Sequence, residues 1–133
     1  MGHRRTARRT RVSRCVSLLL GAVIAVAAQG ALAHALVMSS TPAANATLRA
    51  GALPIELRFN SRIDAKRSRV TLRAPGGAEA VLALKIDDSR AVLSGSAETR
   101  RAGDWAVVWQ VLSLDGHVTR GEVPFRVEDA TGK

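Results

Sequence analysis

Residues 104–114 constrain the fold of this chain more than any other stretch. Successive side chains of a β-strand point to opposite faces. One face of this segment carries Trp105, Val107, Trp109 and Val111, and the other carries Ala106, Val108 and Leu112. Apolar residues on both faces predict a central strand, with neighbours on either side.

Shorter alternating runs predict six further strands. We expect them over residues 36–41, 54–59, 68–73, 80–86, 90–93 and 119–127, with a polar connection over 45–51 and a frayed tail over 128–133. The side chains that we expect to face inward from two of them are Ile55, Leu57 and Phe59, then Val70 and Leu72. Because no amphipathic helical pattern interrupts these runs, the sequence predicts an all-β sandwich or barrel.

The N-terminus has the three-part layout of a cleavable secretory signal. Residues 1–14 are basic, residues 15–28 form an apolar run, and residues 29–33 end in Ala-x-Ala. The apolar run is short for a membrane span, which needs about 20 residues. We therefore expect a signal peptide over 1–33 and a mature domain over 34–133 that is not embedded in a membrane; an uncleaved anchor and an arginine-rich nucleic-acid arm are the alternatives.

The position of the cut decides whether a histidine begins the mature chain. Cleavage after Ala33 leaves His34 first, whereas Ala33-His34-Ala35 also fits the pattern and a cut after Ala35 would discard His34. The arginine pairs at positions 4–5 and 8–9 leave twin-arginine export open beside the general secretory route, although the residues that follow them fit it poorly.

Charge and cysteine content narrow the chemistry. Six of the twenty basic residues are arginines between positions 4 and 14, so of the formal charge of +9 only about +3 stays in residues 34–133, from fourteen basic and eleven acidic side chains. Nucleic acid is therefore not expected as a partner. The single cysteine, Cys15, leaves with the signal, so a metal site would have to use nitrogen and oxygen ligands.

The segment Ser113-Leu-Asp115-Gly-His117 carries the candidate chemistry. If Gly116 continues the strand or lies in a small bulge, the side chains of Asp115 and His117 leave the same face. A carboxylate and an imidazole placed in this way can hold one metal ion. The same residues could be imagined as a Ser–His–Asp hydrolase triad, but on one strand their geometry is wrong and no Gly-x-Ser-x-Gly elbow is present.

The pattern Trp-x-Val-x-Ser-x-Asp-Gly-His, followed by Gly-x-x-x-Phe-x-Val, resembles the C-terminal half of the CopC family of periplasmic copper-binding proteins. The opening His-Ala-Leu-Val-Met-Ser-Ser-Thr-Pro from His34 resembles the start of that family. The resemblance implies a small Greek-key sandwich of about seven strands, of the cupredoxin-like or immunoglobulin-like kind. It also favours cleavage after Ala33.

The resemblance further implies one Cu(II) ion per chain, held by His34, Asp115 and His117. An N-terminal histidine offers its α-amine and its ring Nδ1, so the full set is three nitrogens and one oxygen, which suits Cu(II). The function implied is buffering or delivery of copper in the periplasm, without enzymatic activity. A membrane transporter of the CopD type is the implied recipient.

Two departures from the family pattern affect the outer parts of the site. Ser61 stands where the family often has a further acidic residue. Met38 is the only methionine after cleavage, and we expect it to fill the core, so we predict no Cu(I) site. The acidic residues Asp64, Asp87 and Asp88 are expected in turns or on the surface, because no calcium-loop spacing surrounds them.

Two alternative functions remain open. One is a metal-free, secreted immunoglobulin-like module that binds other proteins. The other is a copper-dependent oxidative enzyme, because a chelating N-terminal histidine also forms the copper site of enzymes that cleave polysaccharides oxidatively. The carboxylate in the ligand set and the small size of the domain favour copper binding over oxidation.

Overall fold

Nine β-strands and no helix make up residues 35–130, the part of the chain that this computed structural model describes. The strands are β1 (Val37–Thr41), β2 (Thr47–Arg49), β3 (Gly51–Phe59), β4 (Ile63–Arg73), β5 (Glu79–Val81), β6 (Lys85–Ile86), β7 (Val92–Thr99), β8 (Gly103–Ser113) and β9 (Val118–Glu128). Within this part of the chain, nothing helical has the length and hydropathy needed to cross a membrane.

Two sheets pack face to face as a β-sandwich. The four-stranded sheet has the order β1-β3-β7-β6, and the five-stranded sheet has the order β2-β9-β8-β4-β5. All neighbouring strands are antiparallel except β2 and β9, which are parallel. The all-β sandwich expected from the sequence is therefore confirmed.

The core lies between the sheets and consists of the inward side chains of both. The side chains predicted to face inward are buried in β3 (Ile55, Leu57, Phe59) and in β4 (Val70, Leu72). In β8, one face is buried along its length (Trp105, Val107, Trp109, Val111), and Ala106 on the other face is buried as well. Phe59 and Trp109 meet edge to face across the sandwich, with ring centroids 5.5 Å apart and planes at 83°. This is a favoured geometry for aromatic pairs, so it helps to join the two sheets.

The prediction that residues 104–114 form a central strand is confirmed. Strand β8 pairs with β4 on one side and with β9 on the other. Its ladder with β9 runs from Gly103 opposite Val127 to Leu112 opposite Val118, without a register shift. This hairpin carries the candidate site at its connection.

Two predictions about short segments are wrong. The expected single strand over 80–86 is divided: β5 pairs with β4 in one sheet, and β6 pairs with β7 in the other. The chain changes sheets between them, with Leu82 and Leu84 packed against the core. The expected connection 45–51 contains β2, because Leu48 packs on the core and the segment pairs with β9. These two differences turn seven expected strands into nine.

Other boundaries also differ. Strand β4 begins at Ile63 rather than Ser68, with an irregular register between Asp64 and Arg69, and β7 continues from Val92 to Thr99.

Met38 is 65% exposed, so the expectation that it fills the core is wrong. Asp87 accepts backbone hydrogen bonds at the turn between β6 and β7, as expected. Asp64 instead lies in β4, where it accepts from the N–H groups of Lys66 and Arg67, so the expected turn position is wrong for this residue.

Candidate metal centre

The connection between β8 and β9 carries two of the three predicted ligands. Strand β8 ends at Ser113 and β9 begins at Val118, so Asp115, Gly116 and His117 lie in a turn. Gly116 has φ +92°, a backbone conformation that glycine adopts without steric cost. The expected strand continuation or small bulge is therefore wrong, because Gly116 takes part in reversing the chain.

This turn nevertheless brings the Asp115 and His117 side chains together. The ring Nδ1 of His117 lies 3.3 Å from Oδ1 of Asp115, and both side chains are about half exposed, at 51% and 48%. With bonds of about 2.1 Å, as Zn²⁺ makes to imidazole nitrogen and carboxylate oxygen, two ligands at right angles lie about 3 Å apart. The spacing therefore suits a single metal ion that arrives from solvent.

Ser113 holds this pair through hydrogen bonds from the buried side of the turn, a role that was not predicted from the sequence. Its side chain is buried, its hydroxyl group donates to the carboxylate of Asp115, and its Oγ accepts from the backbone N–H of His117 at 3.3 Å. These contacts lower the pKa of Asp115 below its ordinary value of 3.8, the Ser113 hydroxyl first and the neighbouring His117 after it. Ser113 lies two residues after Val111, on the same face of the strand, and this position was the sequence signal that could have predicted its burial.

The same contacts argue against a hydrolase triad. In a triad, the nucleophile hydroxyl bonds to the imidazole of the histidine and is open to substrate. Here the hydroxyl of Ser113 bonds to a carboxylate and to the His117 backbone, and Ser113 is only 2% exposed. The arrangement is that of a supporting group rather than a nucleophile.

The third predicted ligand, His34, lies outside the described residues. The chain that follows it is anchored at the same end of the sandwich: Ala35 is fully buried, and its carbonyl accepts from Thr119 at 2.9 Å. Two hydrogen bonds join Leu36 to Asn60. The N–H of Leu36 donates to Oδ1 of Asn60 at 2.8 Å, and the backbone N–H of Asn60 donates to the carbonyl of Leu36 at 3.0 Å. Among residues 35–130 there is no cluster of three or more potential His, Cys, Asp or Glu ligands.

Ser61, at the position where the family pattern often has a further acidic residue, has a buried hydroxyl group. Within the described part of the chain this hydroxyl has no hydrogen-bond partner. The adjacent Arg62 carbonyl accepts from the N–H of Leu114 at 3.0 Å, so this loop lies against the Asp-Gly-His turn.

Comparisons with known proteins agree with this fold. The CopC domain family matches residues 37–128. Protein YobA of Escherichia coli (strain K12) is 30% identical over 100 residues, which cover 72% of this chain and 80% of that protein. The structure of CopC from Methylosinus trichosporium OB3b is similar, with a TM-score of 0.67, 25% identity, and coverage of 75% of this chain and 99% of that one.

A second similar structure is that of PcoC, a methionine-rich copper resistance protein from Escherichia coli. Its TM-score is 0.54 and its identity 25%, with coverage of 72% of this chain and 100% of that one. The family match spans well over half of the chain, from the start of β1 to the end of β9. The chain therefore belongs to the CopC family.

Proposed function

We propose that this protein binds Cu(II) in the periplasm and buffers it or delivers it to another protein. Membership of the CopC family supports a function related to copper, as do the similar structures, one of which is described as a copper resistance protein. Copper is the cargo in this proposal, one ion per chain, and the protein carries out no reaction on it.

The observation that carries the proposal is the 3.3 Å separation between His117 Nδ1 and Asp115 Oδ1 on an exposed turn. His34 would add its α-amine and its imidazole. Three nitrogen donors and one oxygen donor match the preference of Cu(II), and residues 34–133 contain no cysteine that would favour a softer metal ion.

Ala35 supports the assignment of His34 and of the signal peptide. Cleavage after Ala35 would remove a residue that is fully buried in the core and bonded to Thr119. Cleavage after Ala33 keeps that residue and makes His34 the first residue, two positions before Leu36, which Asn60 holds. We therefore propose a signal peptide over 1–33 and a copper-binding domain over 34–133.

The recipient that we propose is a membrane copper transporter of the CopD type, which the family resemblance suggests. Copper would leave through the exposed face of the turn, where about half of the surface of both Asp115 and His117 is accessible. No acceptor needs to open the core, because the proposed ligands belong to a turn and a chain terminus.

The test starts with the intact mass of the exported protein, which must begin at His34. Titration with Cu(II) should then give one equivalent of bound ion with an absorption band and a paramagnetic signal typical of nitrogen and oxygen ligands. An intact mass that corresponds to a chain beginning at Leu36 would contradict the proposal. So would a correctly processed protein that binds no Cu(II).

A matched form tests the amine alone. An extra methionine in front of His34 keeps every side chain but turns the α-amine into an amide, so the amine–imidazole chelate is lost. Losing an outer-shell partner already costs about 10–100-fold in affinity, and we expect at least that loss here. Without copper, the two forms should unfold at the same denaturant concentration.

A further inference from the structure

We propose that Ser113 is a positioning residue for copper, whose buried hydroxyl group fixes the side chains of Asp115 and His117 in one orientation before the metal ion arrives. This inference rests on the proposed function, because it concerns how the same site is prepared. The family match identifies no role for this serine; the role follows from the contacts around the turn.

Ser113 closes the turn with its backbone and its side chain. Its N–H donates to the carbonyl of His117 at 2.9 Å, and the N–H of His117 donates back to Oγ of Ser113 at 3.3 Å. Oγ also lies 3.0 Å from the carbonyl oxygen of His117. The first and last residues of the segment 113–117 are therefore joined to each other through both the backbone and the buried hydroxyl group of Ser113.

The same hydroxyl group holds the carboxylate of Asp115. It donates to Oδ1, and that oxygen also lies 3.4 Å from the backbone N and 3.3 Å from Nδ1 of His117. One carboxylate oxygen is thus the meeting point of Ser113 and His117. This is the oxygen whose 3.3 Å separation from Nδ1 suits a shared metal ion, so Ser113 fixes the spacing on which the proposed site depends.

Exposure explains why such a restraint matters. The side chains of Asp115 and His117 are about half exposed, so packing restricts their rotamers only in part. A metal ion that meets two freely rotating side chains must order both of them, whereas a preorganised pair avoids that entropic cost. Loss of an outer-shell partner typically weakens metal binding by about 10–100-fold.

Ser68 provides a matched control. Its hydroxyl group donates to the carbonyl of Asp64 at 2.6 Å and accepts from the N–H of Leu112 at 3.1 Å. It therefore bridges backbone groups beside the same strand, as Ser113 does, but these bonds involve neither Asp115 nor His117. Ser68→Ala removes a comparable structural hydroxyl without touching the proposed ligands.

The experiment compares wild-type protein with Ser113→Ala, Ser113→Thr and Ser68→Ala, each expressed as the full chain and purified after export. Cu(II) affinity is measured by competition with a chelator, and the ligand field by electron paramagnetic resonance. Hydrogen exchange of the His117 amide in copper-free protein gives a readout that does not depend on the metal.

We expect Ser113→Ala to bind Cu(II) about 10–100-fold more weakly, with an altered paramagnetic spectrum and faster exchange at His117. Ser68→Ala should retain the wild-type affinity, spectrum and exchange rate at that amide. Ser113→Thr keeps a hydroxyl group at the same atom, so it should stay within about threefold of the wild-type affinity if the hydroxyl is what matters.

Three results would overturn the inference while leaving the proposed function intact: wild-type affinity and spectrum in Ser113→Ala, an equal loss in Ser68→Ala, or an equal loss in folded Ser113→Thr. If Ser113→Ala does not fold, the Thr variant still decides, because it tests whether retaining the hydroxyl retains the site. Absence of Cu(II) binding by the correctly processed wild-type protein would instead contradict the proposed function and this inference with it.

Discussion

The hydroxyl group of Thr119 donates a hydrogen bond of 2.9 Å to the carbonyl of Ala35, a residue 84 positions earlier in the chain. Thr119 lies in β9, two residues after His117, and Ala35 is fully buried beside it. The bond joins the start of the described chain to the strand that follows the Asp-Gly-His turn. Any ligand supplied by the residue before Ala35 would depend on this attachment.

The first prediction concerns Thr119→Val, which keeps the β-branched shape but removes the hydroxyl group. We expect Cu(II) affinity to fall roughly two- to twelve-fold, the range that one hydrogen bond of about 0.5–1.5 kcal/mol can supply. In protein with an extra methionine before His34, the same substitution should have a smaller effect on affinity, because the proposed amine ligand is already lost and only the imidazole of His34 still depends on the attachment. Competition titrations of the four proteins measure this coupling.

The control for Thr119 is Thr71→Val on β4 of the same sheet. Thr71 is buried, whereas Thr119 is partly buried, and the hydroxyl of Thr71 bonds to Glu79 at 3.1 Å, within the β4–β5 pair rather than at the turn. We expect no change in copper affinity. Equal effects of Thr119→Val with and without the extra methionine would show that Thr119 does not act through the N-terminal amine.

The second prediction is that His117→Ala removes copper affinity without removing the fold. An exposed imidazole in a turn contributes little to the core, so the free energy of unfolding should change by no more than about 0.5 kcal/mol. Cu(II) binding should weaken by at least about 10–100-fold. Denaturant unfolding of copper-free protein and competition titration measure the two effects; loss of the fold with retained affinity would make His117 structural.

The third prediction concerns the dependence of stability on pH at Asp87. Its carboxylate accepts from the hydroxyl of Ser89 and from the backbone N–H groups of Val92 and Ala91, and these bonds lower its pKa below 3.8. A group with a lowered pKa in the folded state stabilises the protein above its unfolded value and loses that contribution as pH falls through the folded value. The contribution should therefore be complete near neutral pH and shrink below pH 3.8.

Asp87→Ala should accordingly be less stable than wild type at pH 6, and the difference should narrow in more acidic buffer. Thermal unfolding of copper-free protein across that range measures it. The neighbouring Asp88→Ala serves as the control, because no such set of backbone bonds converges on Asp88 in residues 35–130. If the difference in stability between wild type and Asp87→Ala widened as the pH fell, the prediction would be contradicted.

The fourth prediction concerns Gly121, where a Cβ atom would lie 2.4 Å from Cζ2 of Trp109. The indole is rigid and already packed edge to face on Phe59, so it cannot move aside cheaply. We expect Gly121→Ala to lower the free energy of unfolding by about 1–3 kcal/mol, the usual cost of overpacking a core. Denaturant unfolding measures this cost.

Gly95→Ala is the matched control for Gly121. Its added Cβ would meet Cδ2 of Leu84 at 2.6 Å, the end of a flexible and only partly buried side chain, and the backbone oxygen of Ala83 at 3.3 Å. Leu84 can rotate away, so the loss should be smaller than at Gly121. Equal losses at the two glycines would mean that the rigidity of Trp109 is not the cause.

The sequence by itself determined the class of fold and the inner faces of the main strands. Alternation with a period of two reports which side chains are buried, so the burial in β3 and β4 followed directly from local order. In β8 the alternation separated two apolar faces, and the structure decided that the face with Trp105 and Trp109 lies in the core. The motif around Asp115 and His117 also indicated the family, because its residue types stand close together in the sequence. Each of these signals is local.

The tertiary structure decided how those strands are paired and how the turn is supported. Local alternation does not identify a partner strand, so the parallel pairing of β2 with β9 and the division of residues 80–86 between two sheets could not be predicted from it. The sequence also could not show that Ser113 would bond to both Asp115 and His117 across a turn, because the contact with His117 forms only where the positive φ at Gly116 brings the chain back toward Ser113. The bond from Thr119 to Ala35 forms only when β9 is folded against the start of the domain, so the end of the sandwich that carries Asp115 and His117 is a product of long-range contacts.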